Sequence, residues 1–248
     1  MVNQGIRMTK YDSSEYRKKN PTIGIIQLDT KFQRLIGDIG NPKTWKFPVL
    51  YQVMEELFPE KVIYQSDLSV LSIALKTAKK LEKKGVDGIT TTCGFLAKYQ
   101  KEITSHVNIP VFTSSLIQIP LIYKMLNYQK NIGVITASAR SLTKEILLGV
   151  GIENIPLAIF GMEGKEYFQK VFINNQITYF NRVTVRDEII DVAKNMVHSN
   201  YKIGAIVLEC TNMSPYAYDI QIATGLPVFD MNSLMTWVYS GLIKNIFN

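Results

Sequence analysis

The feature that most constrains the fold is an internal repeat that aligns the two cysteines of the chain. Cys210 follows Cys93 by 210 − 93 = 117 residues, and Pro227 follows Pro110 by the same number. At this offset the tripeptide PVF occurs in both stretches, and apolar positions match without a gap. Solenoid repeats are much shorter, about 20–50 residues. The sequence therefore predicts two tandem units related by a pseudo-twofold axis.

Each unit alternates apolar, β-branched segments with amphipathic ones. Strands are predicted in the segments TIGIIQL (22–28), KVIYQS (61–66), VDGITTT (86–92), IPVFTS (109–114), NIGVITAS (131–138) and IPLAIF (155–160). Helices are predicted between them, including one that Asp67 caps and Gly85 ends, and another over residues 185–200. Alternation of this kind is typical of α/β folds with parallel strands.

We therefore expect an α/β protein built from two pseudo-twofold related parallel-sheet lobes, with an active-site cleft between them. Residues 21–114 and 231–248 are assigned to lobe 1, and residues 115–230 to lobe 2. The first strands of the two halves are offset by only 132 − 23 = 109 residues, so the second half has about eight extra residues. We place them around residues 163–181, and we interpret residues 1–20 as an N-terminal extension.

The composition excludes several classes of protein. With 46% hydrophobic and 20% charged residues, the chain resembles an ordinary globular protein. Its net charge of +7 comes without a nucleic-acid-binding signature, and no apolar run could span a bilayer or serve as a secretion signal. We expect a cytoplasmic protein with neither nucleic-acid nor membrane partners.

The sequence predicts no cofactor. Its two histidines, His106 and His198, and its two cysteines stand in no metal-binding spacing. There is neither a glycine-rich dinucleotide motif nor a P-loop. In a reducing compartment both cysteines would be free thiols.

Both cysteines come directly after a predicted buried strand. Ligands of parallel α/β units gather beyond the carboxyl ends of the strands, so two facing lobes would place Cys93 and Cys210 on opposite walls of one cleft. The helix N-terminus that follows each cysteine is expected to favour the thiolate. A single cysteine at such a point is commonly a core residue, but the equivalent placement of both favours a catalytic role.

The segments TTTCGFL and LECTNMSP, with the Ile-Gly opening of both halves, resemble the aspartate/glutamate racemase superfamily over roughly residues 21–240. Residues 34–49 resemble an uncharacterised branch of it, related to amino-acid and hydantoin racemases. The resemblance implies two α/β lobes with the substrate between them and no cofactor. It also implies that Cys93 and Cys210 act on opposite faces of the substrate's α-carbon.

Four positions depart from the patterns of that superfamily. Gly94 and Phe95 follow the first cysteine where many members have Asn-Thr, and Phe95 predicts an apolar wall of the pocket. Glu209 precedes the second cysteine where glycine is common, and Asn212 stands where glutamate racemases have histidine.

Further residues near the strand ends are predicted to bind the substrate. Gly94 would let a carboxylate approach the backbone closely. Asp29, Thr30 and Ser138 follow the first strands of the two halves and could orient a thiol or the substrate, although they could equally cap the next turn. The predicted substrate-binding residues are Asp29, Thr30, Ser138, Gly94, Phe95, Thr211 and Asn212.

The predicted function is that of a cofactor-independent isomerase. It would racemise or epimerise a small amino acid or a related carboxylate, with a thiolate as base on one face and a thiol as acid on the other. A maleate-isomerase-like enzyme, an arylmalonate-decarboxylase-like enzyme and a catalytically silent carboxylate-binding protein stay open as alternatives. The expected partner is the small carboxylate itself, and the sequence leaves homo-oligomerisation open.

Overall fold

The computed structural model describes residues 20–64, 68–199 and 202–244. Within these ranges the strands form two four-stranded parallel sheets, ordered β2-β1-β3-β4 and β6-β5-β7-β8. The strands are β1 (Ile23–Leu28), β2 (Val49–Met54), β3 (Gly88–Thr91), β4 (Val111–Phe112), β5 (Asn131–Thr136), β6 (Leu157–Gly161), β7 (Ile203–Leu208) and β8 (Val228–Phe229). The predicted α/β class with two parallel-sheet lobes is confirmed.

Helices connect the strands and cover the sheets. They are α1 (Pro59–Tyr64), α2 (Leu68–Lys83), α3 (Gln100–His106), α4 (Ile119–Met125), α5 (Lys144–Gly149), α6 (Glu166–Phe168), α7 (Arg182–His198), α8 (Ala217–Thr224) and α9 (Met231–Leu242). Gly85, with φ of +79°, follows the end of α2 as predicted. Every helix in the described part of the chain is too short or too polar to cross a membrane.

The repeat is visible in the arrangement of the two sheets. Each sheet has the same strand order, and β4 and β8 lie at corresponding positions of the repeat. Each cysteine is followed by a six-residue 3₁₀ turn, Gly94–Tyr99 after Cys93 and Thr211–Tyr216 after Cys210. Each lobe therefore places its cysteine at the equivalent point, between the end of a strand and a 3₁₀ turn.

One predicted strand is wrong. The segment 61–66 was expected to be extended, but its described residues belong to α1. Pro59 stands at the first position of that helix, where its fixed φ and missing N–H favour a helix start. The second strand of the sheet is instead Val49–Met54, which pairs with β1 in parallel register from Ile23 opposite Val49.

Some predictions lie outside the described residues: the N-terminal extension up to residue 19, the cap at Asp67 and the last residue of the predicted 185–200 helix. The division of the chain into 21–114 plus 231–248 and 115–230 stays a proposal. Its first lobe would include α9, whose residues Met231, Leu234 and Met235 pack in a buried cluster with Ile23 and Ile25 of β1.

The segment in which extra residues were placed, 163–181, contains α6 and a five-residue π-helical turn, Gln169–Ile173. Its apolar residues are buried: Phe168, Val171, Phe172 and Ile173. The segment is thus a packed element, and it lies beside the ends of the strands that hold the cysteines.

Candidate active site

Cys93 and Cys210 line one closed cavity between the two lobes. Both residues are buried, at 7% and 8% exposure. The cavity has a volume of about 20 Å³, room for about one water molecule. Leu28 and Thr92 from one lobe and Ala137 from the other contribute to the same lining. The two thiols therefore line one cavity between the lobes, as the sequence predicts.

Hydrogen bonds hold the cysteine backbones and link the lobes at this point. The Cys93 N–H donates to the Thr91 hydroxyl oxygen at 3.2 Å. Across the lobe boundary, the Thr211 hydroxyl donates to the Thr92 carbonyl at 2.7 Å. These bonds fix the two strand ends against each other, so the thiols sit on a rigid frame.

Burial raises the pKa of both thiols. The pKa of Cys93 is raised to about 12 by burial first and by the Glu209 carboxylate second. Backbone N–H groups of Phe95 and Leu96 oppose this shift. The same two causes raise the pKa of Cys210 well above its usual value. The N–H groups of the following turn favour the thiolate, as expected, but the loss of hydration in the buried cavity outweighs them and the net shift is upward.

Glu209 is a fully buried carboxylate in the cavity lining. Its Oε2 accepts a hydrogen bond from the Thr136 hydroxyl at 2.7 Å. Burial raises the pKa of Glu209 to about 7, although the Thr136 hydroxyl and the Ala137 backbone N–H act in the opposite direction. This carboxyl therefore holds its proton more tightly than an exposed glutamate does.

Arg34 brings a positive charge to the same cavity. Its Nη1 donates to Asp38 at 2.8 Å, and its Nη2 donates to the Thr30 hydroxyl at 3.0 Å. The guanidinium also lies over the ring of Phe32, 4.9 Å from the ring centre. Its side chain is only 9% exposed, so the charge is held in a fixed position inside the protein.

Two segments form the roof of the cavity, residues 30–34 of one lobe and residues 172–178 of the other. The rings of Phe32 and Phe172 meet edge to face, with centroids 5.0 Å apart. Two hydrogen bonds join the segments, from the Lys31 N–H to Asn175 Oδ1 at 2.7 Å and from the Gln33 N–H to the Thr178 carbonyl at 2.8 Å. These contacts join the two lobes beside the cavity that holds the thiols.

Five of the residues predicted to bind substrate line this cavity with the cysteines: Thr30, Gly94, Phe95, Thr211 and Asn212. The Thr211 hydroxyl is already committed to the Thr92 carbonyl. The side-chain oxygen of Asn212 is buried and has no hydrogen-bond partner among the described residues.

Two other predicted residues lie outside the cavity lining. Asp29 accepts a hydrogen bond from the Glu56 N–H at 3.3 Å. The Ser138 hydroxyl lies within hydrogen-bond distance of the Ser141 hydroxyl and of Glu163, at 3.0 and 3.2 Å. Both follow the ends of β1 and β5, where the turn draws their side chains into local hydrogen bonds.

Sequence reasoning did not assign a role to Arg34, Glu209, Phe32 or Phe172. One signal was present, because Glu209 interrupts the apolar run AIVLEC, where a charged residue needs a reason to be buried. Arg34 carried no comparable signal. Within the described residues, no group of three or more His, Cys, Asp or Glu side chains has the arrangement of a metal site.

Comparison with known proteins gives a family and a set of relatives. Residues 63–238 match the family described as Asp/Glu/Hydantoin racemase. The chain is 29% identical over 236 residues to a dimethylsulfoniopropionate lyase of Durusdinium sp. clade D, covering 92% of this chain and 77% of that protein. It is 30% identical over 235 residues to dimethylsulfoniopropionate lyase 3 of Emiliania huxleyi strain CCMP1516, covering 91% of this chain and 61% of that protein.

Solved structures share the fold at low identity. Unliganded arylmalonate decarboxylase aligns with a TM-score of 0.56 at 14% identity, covering 90% of this chain and 92% of that one. Aspartate racemase of Picrophilus torridus aligns with a TM-score of 0.56 at 16% identity, covering 89% and 93%. These likenesses concern the fold alone.

The sequence-based prediction of a racemase or epimerase is wrong. The curated relatives that match along most of the chain are named as lyases. The physical reason for the error is that two thiols at strand ends of one cavity can serve more than one reaction, and a shared fold does not fix which.

Proposed function

The chain belongs to the Asp/Glu/Hydantoin racemase family, and we propose that it is a lyase that splits dimethylsulfoniopropionate or a closely similar propionate with a cationic leaving group. The observation that carries this proposal is a buried thiol, Cys93, which lines one cavity together with the carboxylate of Glu209 and the guanidinium of Arg34. A substrate with a charge at each end fits such a site. The names of the relatives supply the substrate class.

The proposed reaction is an elimination. The thiolate takes a proton from the carbon next to the substrate carboxylate, and the electron pair of that C–H bond forms a carbon–carbon double bond. The bond between the neighbouring carbon and the sulfonium breaks, and its electron pair stays on sulfur. The products are acrylate and dimethyl sulfide, and the proton passes from the thiol to solvent.

Cys93 is the proposed base. Two backbone N–H groups, of Phe95 and Leu96, and the guanidinium of Arg34 favour its thiolate, whereas one N–H group, of Asn212, favours that of Cys210. A thiol with a high pKa is a strong base once ionised. A cationic substrate in the dry cavity would favour that ionisation, because an opposite charge nearby stabilises the thiolate.

Arg34 is the proposed binding residue for the substrate carboxylate. A guanidinium has five N–H groups in a planar fork, and its hydrogen bonds to Asp38 and Thr30 involve only part of it. An anion can enter a buried site only if it is paired there. Pairing with Arg34 would also withdraw charge from the carboxylate, which makes the neighbouring C–H bond more acidic.

Substrate entry requires the roof to open. A cavity of about 20 Å³ cannot hold a molecule of this size. The two hydrogen bonds between the roof segments are the contacts to be broken. Closure over the substrate would exclude water, which favours elimination over attack by water.

The proposal is tested by incubating the purified protein with dimethylsulfoniopropionate and measuring both products. We expect dimethyl sulfide in the headspace and acrylate in solution in equal amounts. A variant that lacks both thiols, Cys93→Ser with Cys210→Ser, is the control for non-enzymatic breakdown. Release no faster than in this control would reject the proposed function.

A further inference from the structure

Glu209 has one oxygen that the protein leaves without a partner. The residue is fully buried and lines the cavity. Its Oε2 is bonded to the Thr136 hydroxyl, but its Oε1 has no hydrogen-bond partner among the described residues. A buried carboxylate is costly unless it is paired. The free oxygen is therefore available to a ligand that brings a positive charge.

The residue opposite Glu209 explains how the carboxylate fits. A Cβ atom placed on Gly94 would lie 2.2 Å from Glu209 Oε1 and 2.4 Å from the Glu209 carbonyl. Any side chain at position 94, such as the asparagine seen in many members of the resembling superfamily, would occupy the space of the carboxylate. The two departures from the pattern, Gly94 and Glu209, are thus complementary. Where many members have the neutral amide of an asparagine after the first cysteine, this chain has the carboxyl group of Glu209 from the other lobe.

The surroundings of the carboxylate suit a cation that carries methyl groups. Phe95 and Phe172 line the same cavity. Aromatic faces attract onium groups, and a desolvated site strengthens this attraction. Glu209 and Arg34 do not neutralise each other by a direct bond, because the described partners are Thr136 for Glu209 and Asp38 and Thr30 for Arg34.

From these contacts we infer that Glu209 is the specificity-determining residue that binds the cationic end of the substrate, while Arg34 binds its carboxylate. The inference deepens the proposed function and rests on it for the identity of the substrate. It assigns the site to propionates that bear a sulfonium or a quaternary ammonium group. Propionates of the same shape whose distal group is uncharged or negative would bind more weakly.

The test compares two carboxylates of the same shape that differ only in the charge of the group at the other end. These are 3-(trimethylammonio)propionate, whose distal group is cationic, and 4,4-dimethylpentanoate, in which an uncharged carbon replaces the nitrogen, and binding is measured by calorimetry. We expect the wild-type protein to bind the ligand with the cationic group at least about tenfold more tightly, because a buried charge pair is lost when that group is uncharged. In Glu209→Gln the two affinities should agree within about threefold.

Two further variants keep the test decisive. Glu153→Gln removes the same charge from an exposed position and should behave as the wild type. Gly94→Ala keeps the charge but displaces the carboxylate, so it should also lose the preference, and it serves if Glu209→Gln does not fold. Retention of the preference in folded Glu209→Gln or Gly94→Ala overturns the inference.

Absence of any preference, or of any binding of the cationic ligand, in the wild type also overturns the inference. The proposed function fails separately. If the wild type prefers the cationic ligand but releases no dimethyl sulfide, the reaction is wrong and the role of Glu209 stands. If the wild type releases dimethyl sulfide but shows no preference for the cationic ligand, the reaction stands and the role of Glu209 is wrong.

Discussion

Replacing Cys93 by serine is expected to lower kcat for dimethyl sulfide release by about 10³-fold, within the range for loss of a general base. A serine hydroxyl is too weak an acid to ionise in this cavity, so no base would remain on that side of the substrate. Replacing Cys210 by serine should lower kcat by about tenfold or less. Elimination needs no second acid, because acrylate receives no proton.

This inequality separates elimination from inversion of a carbon centre. A two-base racemisation would lose full turnover with either replacement, since each thiol serves one face of the substrate. Melting curves of both variants are the control, because both cysteines are buried. A loss in Cys210→Ser as large as that in Cys93→Ser would contradict the single-base mechanism, and a much larger loss in Cys210→Ser would show that the base is Cys210.

Replacing Arg34 by methionine is expected to raise KM for the sulfonium substrate by about 10- to 100-fold, the effect of losing charged hydrogen bonds to a carboxylate. The same change leaves the carboxylate of Asp38 buried without its cation. We therefore also expect the free energy of unfolding to fall by about 3–5 kcal/mol. Steady-state kinetics and urea denaturation measure the two effects separately.

Two matched variants separate binding from folding at this position. Arg34→Lys keeps a positive charge beside Asp38 but lacks the planar fork, so its KM should rise while its stability changes little. Asp38→Asn removes the carboxylate that pairs with Arg34 but keeps the guanidinium, so its effect on KM should be smaller than that of Arg34→Met. A KM within about threefold of the wild type in Arg34→Met would exclude Arg34 from carboxylate binding.

The repeat made much of the fold predictable. An offset of 117 residues places Cys93 and Cys210 at equivalent strand ends, and the structure repeats even the 3₁₀ turns that follow them. Such agreement is possible because strand, turn and helix signals are local. The second strand was missed because the short apolar runs near residues 49–54 and 61–66 look alike in sequence. Pro59, as a helix start, is the local signal that distinguishes them.

The charges of the site depend on tertiary contacts and could not be predicted in the same way. Arg34 reaches the cavity through a loop held by Asp38 and by Gly40, whose N–H donates to Asp38 at 2.7 Å. The carboxylate of Glu209 has room only because Gly94, distant in sequence, lacks a side chain. Glu209 interrupts an apolar run, but the sequence alone does not show which group faces it, and Arg34 taken alone is an ordinary loop residue.

The reaction was mispredicted because the scaffold and the thiols are compatible with several kinds of carbanion chemistry. Two cysteines at strand ends are consistent with proton transfer next to a carboxylate, whatever follows it. What distinguishes an elimination is a leaving group on the next carbon and a site that binds it. In this chain that distinction is proposed to lie in Glu209 and the aromatic rings near it.

The most direct test of the elimination is the fate of deuterium in the products. Dimethylsulfoniopropionate carrying two deuterium atoms on the carbon next to the carboxylate should give acrylate that retains one of them. Substrate carrying both deuterium atoms on the carbon next to sulfur should give acrylate that retains both. Loss of label from the carbon next to sulfur, 3-hydroxypropionate in place of acrylate, or no dimethyl sulfide at all would contradict removal of the proton beside the carboxylate.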